Sequence, residues 1–349
     1  MAGDFVSVLY ELKAKNLRKA AEALALGQSL GNPWLRTKRD HGLRSFRAEV
    51  VDVGGSGVWI AYPRKLFPET ANVSHLLSVL MGGQMDLGLL THCRLVDVAL
   101  GPLNYPGPRF GVQGIRHLVR ATNGRPLIGA ILKPKVGLKP SEMAEICAEM
   151  ALGGADFIKE DEILGDVPYA PLEERVEAIQ KAIRKTKRHT LYAPCITSDN
   201  PLAAASRAGM ATARAVHLNV WNGFGSYLHL RTCKNMALFF QRSGMQVWTN
   251  GPFSISDRFL YKLVNAIGCD IAHVGMYGGY LSDSKQHIHE RMQAMGDTLP
   301  SFSCGMNPTT ARQVVKAFGP DVLLTSGGWI HNHPRGPRYA LGEIKKAVT

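Results

Sequence analysis

Residues 126–162 read PLIGAILKPKVGLKPSEMAEICAEMALGGADFIKEDE, and this stretch decides the fold. It opens on a short apolar run at 126–133 and continues with a helical pattern at 141–152. A second short apolar run follows at 156–160. Strand, helix and strand in this order are typical of a βαβ unit with parallel strands.

The same alternation continues to the end of the chain and predicts a barrel domain over residues 113–349. Eight candidate strands span residues 126–133, 156–160, 190–195, 216–221, 246–250, 271–275, 301–305 and 322–326. Eight strand–helix units favour closure into a (β/α)₈ TIM barrel. In such a barrel the chemistry is expected at the carboxyl ends of the strands.

The first part of the chain has a different pattern and predicts a ferredoxin-like α+β domain over residues 1–112. Helical stretches at 16–26 and 72–81 alternate with short strands at 6–12, 46–53, 58–62 and 95–100. The glycine-rich run 54–57 joins two of these strands as a hairpin turn would. The resulting order βαββαβ is the ferredoxin-like pattern.

Composition excludes several classes of protein. No apolar run approaches the ~18 residues of a membrane span, and the six cysteines form no C-x-x-C pair. We therefore expect a cytoplasmic protein without a membrane partner. Lys+Arg 41 against Asp+Glu 28 gives a net charge of +13. The densest basic groups, 36–39 and 184–188, lack interleaved aromatics, which disfavours nucleic acid and favours a small anionic substrate or a solubilising surface.

Two lysines close the first barrel strand. Lys133 and Lys135 are two residues apart, so they share a face and both point into the barrel mouth. Two ammonium groups held close disfavour each other's charge, and one of them becomes usable as a base. The alternative is a pair of solvated lysines that flank a turn.

An acidic cluster closes the second barrel strand. Lys159 and Asp161 share a face, and Glu162 follows where the strand ends. The acids suit a hard cation such as Mg²⁺, which prefers oxygen ligands. Lys159 fits this cluster if CO₂ converts its amine to a negatively charged carbamate. An ordinary Lys–Asp surface pair is the alternative.

Two other strand ends carry candidate binding groups. Gly327 and Gly328 follow the last strand, where backbone amides of this fold hold phosphate, although a simple glycine turn is the alternative. His273 on strand six is an acid, a substrate contact or a packed core imidazole.

Taken together, these segments resemble the large subunit of ribulose-bisphosphate carboxylase/oxygenase (RuBisCO) and, more closely, its non-carboxylating relatives, the RuBisCO-like proteins. Residues 129–138, GAILKPKVGL, are similar to the family's G-x-x-x-K-P-K-x-G-L. Residues 153–162, GGADFIKEDE, are similar to its G-G-x-D-F-x-K-D-D-E. Weaker matches extend from residue 28 to residue 336. The resemblance implies the two-domain architecture and a homodimer, or a higher oligomer of dimers, in which a partner's segment 28–32 completes the site.

The resemblance also implies roles for individual residues. Lys159 would carry the CO₂-derived carbamate and bind Mg²⁺ together with Asp161 and Glu162. Lys133 would be the base that enolises the substrate, with Lys135 supporting it. Further substrate contacts are implied at His273, Ser303, Gly305, Gly327 and Gly328.

Departures from the family pattern argue against carboxylation. Tyr280 stands where the family has the lysine that orients CO₂, and Gly27 replaces the glutamate that pairs with that lysine. After strand five, placed at 246–250, Thr249-Asn250 stands in place of the family's His-Arg and Phe253 in place of a later histidine. Asn250 would contact the substrate at the arginine position. Either another residue holds a phosphate at that end of the substrate or, as the less costly explanation, that end carries no phosphate.

The expected function is therefore Mg-dependent enolate chemistry without CO₂ fixation. The enzyme would be an isomerase, including an enolase or tautomerase, or a lyase that decarboxylates a small keto-sugar phosphate or sugar acid. A non-catalytic scaffold or stress-related protein is one alternative, and a nucleic-acid binder is another. The sequence does not choose between isomerisation and decarboxylation.

Overall fold

A computed structural model describes residues 4–34, 38–55, 57–86 and 88–349. Ser56 of the predicted turn at 54–57 and Arg36 of the basic group 36–39 lie outside these ranges. The strands are β1 (Phe5–Lys13), β2 (Glu49–Gly54), β3 (Gly57–Pro63), β4 (His92–Val98), β5 (Leu127–Ile131), β6 (Phe157–Lys159), β7 (Leu191–Ala193), β8 (Ala215–Asn219), β9 (Ala237–Gln241), β10 (Phe253–Ile255), β11 (Ile271–Gly275), β12 (Leu299–Phe302) and β13 (Leu323–Ser326).

The helices alternate with these strands along most of the chain. They are α1 (Leu17–Gly27), α2 (Val73–Leu80), α3 (Gly111–Leu118), α4 (Pro140–Leu152), α5 (Leu172–Lys185), α6 (Pro201–Met210), α7 (Phe224–Leu230), α8 (Gln246–Thr249), α9 (Asp257–Ala266), α10 (Lys285–Ala294), α11 (Pro308–Phe318), α12 (Gly328–His331) and α13 (Gly336–Val348). Across the described residues, no helix combines the length and apolarity that a bilayer crossing needs.

The chain divides into two compact units. One contains Met1–Pro106 and Gly244–Ala266, and the other contains Gly107–Ser243 and Ile267–Thr349. The segment 244–266, which the sequence places within the barrel domain, thus clusters with the first unit. The boundary between residues 112 and 113 stays a prediction.

The first unit is built on a five-stranded sheet in the order β10-β4-β1-β3-β2. β1 is antiparallel to both β3 and β4, and β2 is antiparallel to β3. Alternate β1 residues, such as Val6, Val8 and Tyr10, are buried, which matches the two-residue period of a sheet with one covered face. The βαββαβ order predicted from the sequence is confirmed, and β10 adds a parallel edge strand next to β4.

The second unit is an eight-stranded parallel sheet in the order β7-β6-β5-β13-β12-β11-β9-β8. Its two edge strands meet through a bridge between Cys195 and His217. The Ile196 N–H donates to the His217 carbonyl at 2.9 Å, and the His217 N–H donates to the Pro194 carbonyl at 3.0 Å. These bonds bring the edges together, and the predicted (β/α)₈ barrel is confirmed.

One predicted strand is wrong. Barrel strand five is β9, at 237–241. Residues 246–249 form the short helix α8, and Asn250 caps its C-terminus. All five β9 residues are buried and the first four are apolar, so the strand lacks the alternation of a sheet with one covered face. In α8 the side chains of Val247 and Trp248 are 67% and 37% exposed. A β-branched and an aromatic residue suggested a strand there, but neither is covered by a sheet.

Aromatic side chains fill the lower part of the barrel. The rings of Phe157 on β6 and Phe239 on β9 stack with centroids 5.5 Å apart. Leu127, Ile271 and Leu323 on other strands belong to the same buried cluster. Because residues two apart on a strand share a face, this packing places Lys159 one layer above Phe157, towards the carboxyl ends of the strands.

Candidate active site

A cavity of about 440 Å³ opens at the carboxyl ends of the barrel strands. Nine of the residues singled out in the sequence line it, namely Lys133, Lys135, Asp161, Glu162, His273, Ser303, Gly305, Gly327 and Gly328. These residues come from five strand ends that are far apart in the sequence. Barrel closure therefore brings the candidate lysines, acids and glycines to one place, while their individual roles stay predictions.

Lys133 and Lys135 both face Asp161. Lys133 Nζ donates to Asp161 Oδ2, and Lys135 Nζ lies 3.9 Å from Asp161 Oδ1. The Lys133 side chain is 24% exposed and that of Lys135 is 52% exposed, whereas Asp161 is buried. Lys133 is thus the lysine held deeper in the cavity.

Lys159 is fully buried beneath the cavity. Its Nζ donates to the Glu160 carbonyl at 2.8 Å and lies 5.7 Å from the centre of the Phe239 ring. Burial lowers the pKa of Lys159, an effect that the negative charges of Glu162 and Asp161 oppose. A neutral amine is the form of lysine that reacts with CO₂, so this environment suits carbamate formation.

Glu160, the first of the three consecutive acids, has a structural role. Its carboxylate accepts from Arg175 Nε at 2.8 Å, from the Cys195 backbone N–H at 2.7 Å and from the Tyr192 hydroxyl. Glu160 and Arg175 are both completely buried. The carboxylate is therefore fully used in holding β6 to β7 and α5, which leaves the next two acids to face the cavity.

This arrangement predicts a large effect of Glu160→Gln on stability. The change leaves the Arg175 guanidinium buried beside a neutral group, and breaking a buried pair in this way costs about 3–5 kcal/mol. A matched control is Glu173→Gln, whose partner Arg207 is 39% exposed at the side chain, so that a loss of about 1 kcal/mol or less is expected. Urea denaturation of both variants measures the difference, and equal losses would contradict the assignment.

Glu162 is positioned by two residues that sequence reasoning missed. Its Oε1 accepts from Ser243 Oγ at 2.8 Å, and Gln241 Nε2 donates to the same Ser243 Oγ at 2.7 Å. Both residues line the cavity. Sequence reasoning missed them because it placed strand five at 246–250. Gln241 is the last residue of β9, and Ser243 lies two residues beyond it.

The donor set fits Mg²⁺ in its chemistry. Asp161 and Glu162 offer carboxylate oxygens to one cavity, and oxygen is the ligand that this ion prefers. Over the described ranges, no group of three or more His, Cys, Asp or Glu side chains is placed to hold a metal ion. A third protein oxygen would therefore come from a carbamate on Lys159.

His273 is placed as a neutral hydrogen-bonding group. Its Nδ1 lies 3.3 Å from Ser303 Oγ, and its ring meets Phe239 edge-on with centroids 4.7 Å apart. Burial, together with the nearby positive charges of Lys159 and Arg242, lowers the pKa of His273 well below its ordinary value. Of the three roles left open by the sequence, this environment favours a neutral contact in the cavity wall over a protonated acid.

Two glycines in the cavity wall allow close approaches. Gly305 has φ of +108°, and a Cβ there would lie 3.0 Å from both Gly279 Cα and Tyr280 N. A Cβ at Gly327 would lie 3.4 Å from Lys133 Cε. The backbone at Gly305 thus gives room to the Tyr280 segment, and that of Gly327 runs directly beside Lys133.

The hydroxyl groups on the last two barrel strands bond to other protein groups and are not free to bind a ligand. Ser301 Oγ and Thr325 Oγ1 hydrogen bond to each other at 2.8 Å, and Ser326 Oγ donates to the Met306 carbonyl at 2.9 Å. All three residues are buried. What this segment offers the cavity is therefore the backbone of Gly327 and Gly328.

Eight further residues line the cavity, and seven of them were not singled out in the sequence. They are Ile131, Tyr280, Cys304, Met306, Asn307 and Trp329, in addition to Gln241 and Ser243. Of these, only Tyr280 was singled out, as a departure from the family pattern. It is 80% exposed.

The corrected strand five changes one expectation. The residue pair that ends β9 and follows it is Gln241-Arg242, so an arginine does stand directly after strand five. The argument that this arginine is missing is therefore wrong. The expectation that one end of the substrate carries no phosphate loses this support and stays a prediction. Asn250 belongs to the other compact unit, and its substrate contact stays a prediction.

A closed parallel barrel with a lysine–carboxylate cluster at its mouth, joined to a ferredoxin-like domain, defines a class of two-domain barrel proteins. The chain matches the N-terminal domain of the ribulose bisphosphate carboxylase large chain over residues 4–105 and the catalytic domain of that chain over residues 111–348. It belongs to the RuBisCO large-chain family.

The relatives of the chain include enzymes of more than one activity. It is 30% identical to 3-oxo-isoapionate-4-phosphate decarboxylase of Rhizobium etli, over 99% of this chain and 86% of the relative. It is 27% identical to ribulose bisphosphate carboxylase of Thermococcus kodakarensis, over 99% and 88%. The crystal structure of octameric RuBisCO from Pyrococcus horikoshii superposes with a TM-score of 0.88 at 27% identity, covering 99% of this chain and 89% of that one.

Proposed function

We propose that this chain is a Mg²⁺-dependent enzyme that forms and protonates an enolate of a small phosphorylated 3-oxo sugar acid or keto-sugar. Loss of CO₂ from a 3-oxo acid is the favoured reaction, and isomerisation of a keto-sugar phosphate is the second. The observation that carries the proposal is the single cavity that holds Lys133, Asp161 and Glu162 above the buried Lys159.

The metal would be held by Asp161, Glu162 and the carbamate of Lys159. When bound, Mg²⁺ supplies Lewis-acid stabilisation of negative charge on a substrate oxygen. Ser243 fixes the Glu162 carboxylate, and Glu160 with Arg175 fixes the strand that carries all three ligands. These contacts hold the ligands in place before substrate arrives, which is what electrostatic catalysis requires.

Lys133 transfers a proton to or from the reacting carbon of the substrate. In decarboxylation the bond between the carboxyl carbon and its neighbour breaks, CO₂ leaves, and the electron pair forms the enolate. The Lys133 ammonium then gives a proton to the enolate carbon. In isomerisation the neutral Lys133 amine takes a proton from the hydroxyl-bearing carbon next to the carbonyl. The hydroxyl proton passes to the former carbonyl oxygen, and Lys133 returns its proton to the former carbonyl carbon.

A phosphate group of the substrate would be held by the backbone of Gly327 and Gly328, beside Lys133. Arg242 follows β9 but is not among the residues that line the cavity, so the phosphate contact is assigned to the glycine backbone alone. The Rhizobium etli relative is named 3-oxo-isoapionate-4-phosphate decarboxylase, and that name describes a phosphorylated substrate. The relative is 30% identical over 99% of this chain, which favours decarboxylation.

The proposed function is tested by incubating the enzyme, Mg²⁺ and bicarbonate with phosphorylated 3-oxo sugar acids and, separately, with keto-sugar phosphates. We expect release of CO₂ from the acids, together with solvent deuterium in the product at the carbon that lost CO₂. Deuterium exchange into the keto-sugar phosphates without CO₂ release would select isomerisation. An absence of both reactions would support the non-catalytic scaffold instead.

Carboxylation is not part of the proposal, although relatives such as the Thermococcus kodakarensis protein are named carboxylases. Tyr280 lines the cavity where the family's CO₂-orienting lysine is expected, and Gly27 replaces its glutamate partner. We predict that labelled CO₂ is not fixed into ribulose bisphosphate. Product formation above the level of an enzyme-free blank would overturn this prediction.

We further propose that the chain works as a homodimer, in which segment 28–32 of a partner subunit completes the cavity. The relative from Pyrococcus horikoshii is octameric, which supports a homo-oligomer for this chain. Light scattering should give at least twice the mass of one chain, 38.1 kDa. A monomer with full activity would refute the arrangement.

A further inference from the structure

A second cavity, of about 180 Å³, lies at the opposite end of the barrel, where the strands begin. Arg125 precedes β5, Asp156 precedes β6 and His189 precedes β7, and all three line it. A strand rises about 3.3 Å per residue, so the five residues of β5 separate this cavity from the candidate active site by roughly 15 Å. We call it the basal cavity, and no step of the proposed reaction uses it.

The walls of the basal cavity are strongly cationic. Its charged and titratable lining consists of Arg120, Arg125, Lys187, Arg188, His189, Lys345 and Asp156. The two Asp156 oxygens are held by Arg125 Nη1 and Nη2, each at 2.6 Å. The only acid in the lining is therefore already paired, and its charge does not offset the remaining cations.

The remaining cations reach the basal cavity from three separate segments. Arg120 follows α3, Lys187 and Arg188 follow α5, and Lys345 lies on α13, over Gly154. Within the described ranges, none of these four side chains has an ion-pair partner. Like charges gathered in this way repel each other, and an anion between them would remove the repulsion.

Helix dipoles account for only part of this cluster. α3, α4 and α5 end beside the cavity, and the partial negative charge at each of these ends attracts cations by about 0.3–1 kcal/mol. Backbone N–H groups cap carbonyl groups at these ends. Arg120 N donates to His117 O at 3.1 Å, Gly154 N to Ala151 O at 3.0 Å, and Lys187 N to Arg184 O at 3.1 Å. The cationic side chains remain available to a ligand.

We propose that the basal cavity binds a small soluble anion that carries a phosphate group. Phosphate offers several acceptor oxygens to converging arginine and lysine donors. The lining contains no Phe, Tyr or Trp, and His189 is its one ring that could stack a base, so a nucleic acid is a poorer fit. The basic run 184–188, which the enolate chemistry leaves unexplained, contributes Lys187 and Arg188 to this site.

The test measures binding of inorganic phosphate and of pyrophosphate by titration calorimetry, with chloride keeping the ionic strength constant. Arg188→Gln/Lys345→Gln removes one cation from each of two walls. Lys181→Gln/Lys185→Gln is the matched control, because it removes the same charge from exposed positions on α5 that do not line the cavity. Vesicles containing phosphatidate and a short DNA duplex are run in parallel as other sources of phosphate groups.

We expect saturable binding to the wild-type protein and at least about tenfold weaker binding to Arg188→Gln/Lys345→Gln, because charge-assisted hydrogen bonds are lost. The control should stay within about twofold, because Lys181 and Lys185 do not line the cavity and would make no direct contact with an anion bound there. Unchanged binding by Arg188→Gln/Lys345→Gln would place phosphate elsewhere, including at the barrel mouth, and overturn the proposal. Equal weakening of both variants, or binding to vesicles or DNA alone, would also overturn it.

Discussion

Lys133→Met should lower the rate of proton transfer to or from the substrate carbon by at least about 100-fold, the usual effect of removing a general acid or base. Lys133 Nζ is the amine in contact with the buried Asp161, and it lies beside the backbone of Gly327. Methionine keeps much of the length and the apolar body of the side chain but has no group that gains or loses a proton. The measurement is deuterium incorporation from solvent, followed by NMR.

Lys135→Met is the matched control for this prediction. Its Nζ is 3.9 Å from Asp161 and its side chain is 52% exposed, so its loss should weaken substrate binding more than it slows proton transfer. KM should therefore rise more than kcat falls. If Lys133→Met exchanges protons at close to the wild-type rate while Lys135→Met does not, the roles of the two lysines are reversed.

Lys159→Met should abolish the dependence of Mg²⁺ affinity on bicarbonate. Changes to residues that merely support metal ligands cost 10–100-fold in affinity or activity, so loss of a ligand should cost at least about 100-fold. Lys159 is completely buried, and its neighbours Asp161 and Glu162 supply the other oxygens. Calorimetry of the chelator-treated enzyme, with and without bicarbonate, measures the effect independently of activity.

The carbamate itself has a direct signature. Wild-type enzyme in ¹³C-bicarbonate and Mg²⁺ should show one carbamate carbon resonance that Lys159→Met lacks and that Lys181→Met, at an exposed position on α5, retains. Equal Mg²⁺ affinity of the wild-type enzyme in the presence and absence of bicarbonate would show that the two acids hold the metal without a carbamate. That result would remove CO₂ from the list of cofactors.

Local sequence pattern was sufficient for most of the architecture. The βαβ alternation from residue 126 onwards predicts the barrel, because apolar runs short enough for strands recur between helical stretches. It also places Lys133, Lys135, Asp161 and Glu162 at strand ends, which a parallel barrel necessarily brings to one mouth. The confirmed family membership came from the two motifs at 129–138 and 153–162.

Strand five shows where local pattern fails. The run QVWTN at 246–250 has β-branched and aromatic residues typical of a strand, while ALFFQ at 237–241 has four consecutive apolar residues. Which of the two runs becomes a strand depends on which one packs between neighbouring strands of the barrel. Local composition does not show this, because β-propensity mainly reflects a fit to a half-buried surface. Misplacing the strand concealed Gln241, Arg242 and Ser243 and led to the wrong conclusion that an arginine was missing.

The sequence by itself determined the two domain types, the strand ends that line the candidate active site and the lysine–acid motif, because each of these depends on residues close together in the chain. Only the tertiary structure decided that Glu160 is tied to Arg175 while Asp161 and Glu162 face the cavity. It also decided that cations from three distant segments meet at the basal cavity. Burial, pairing and the meeting of like charges depend on neighbours supplied by remote parts of the chain, which a local pattern does not contain.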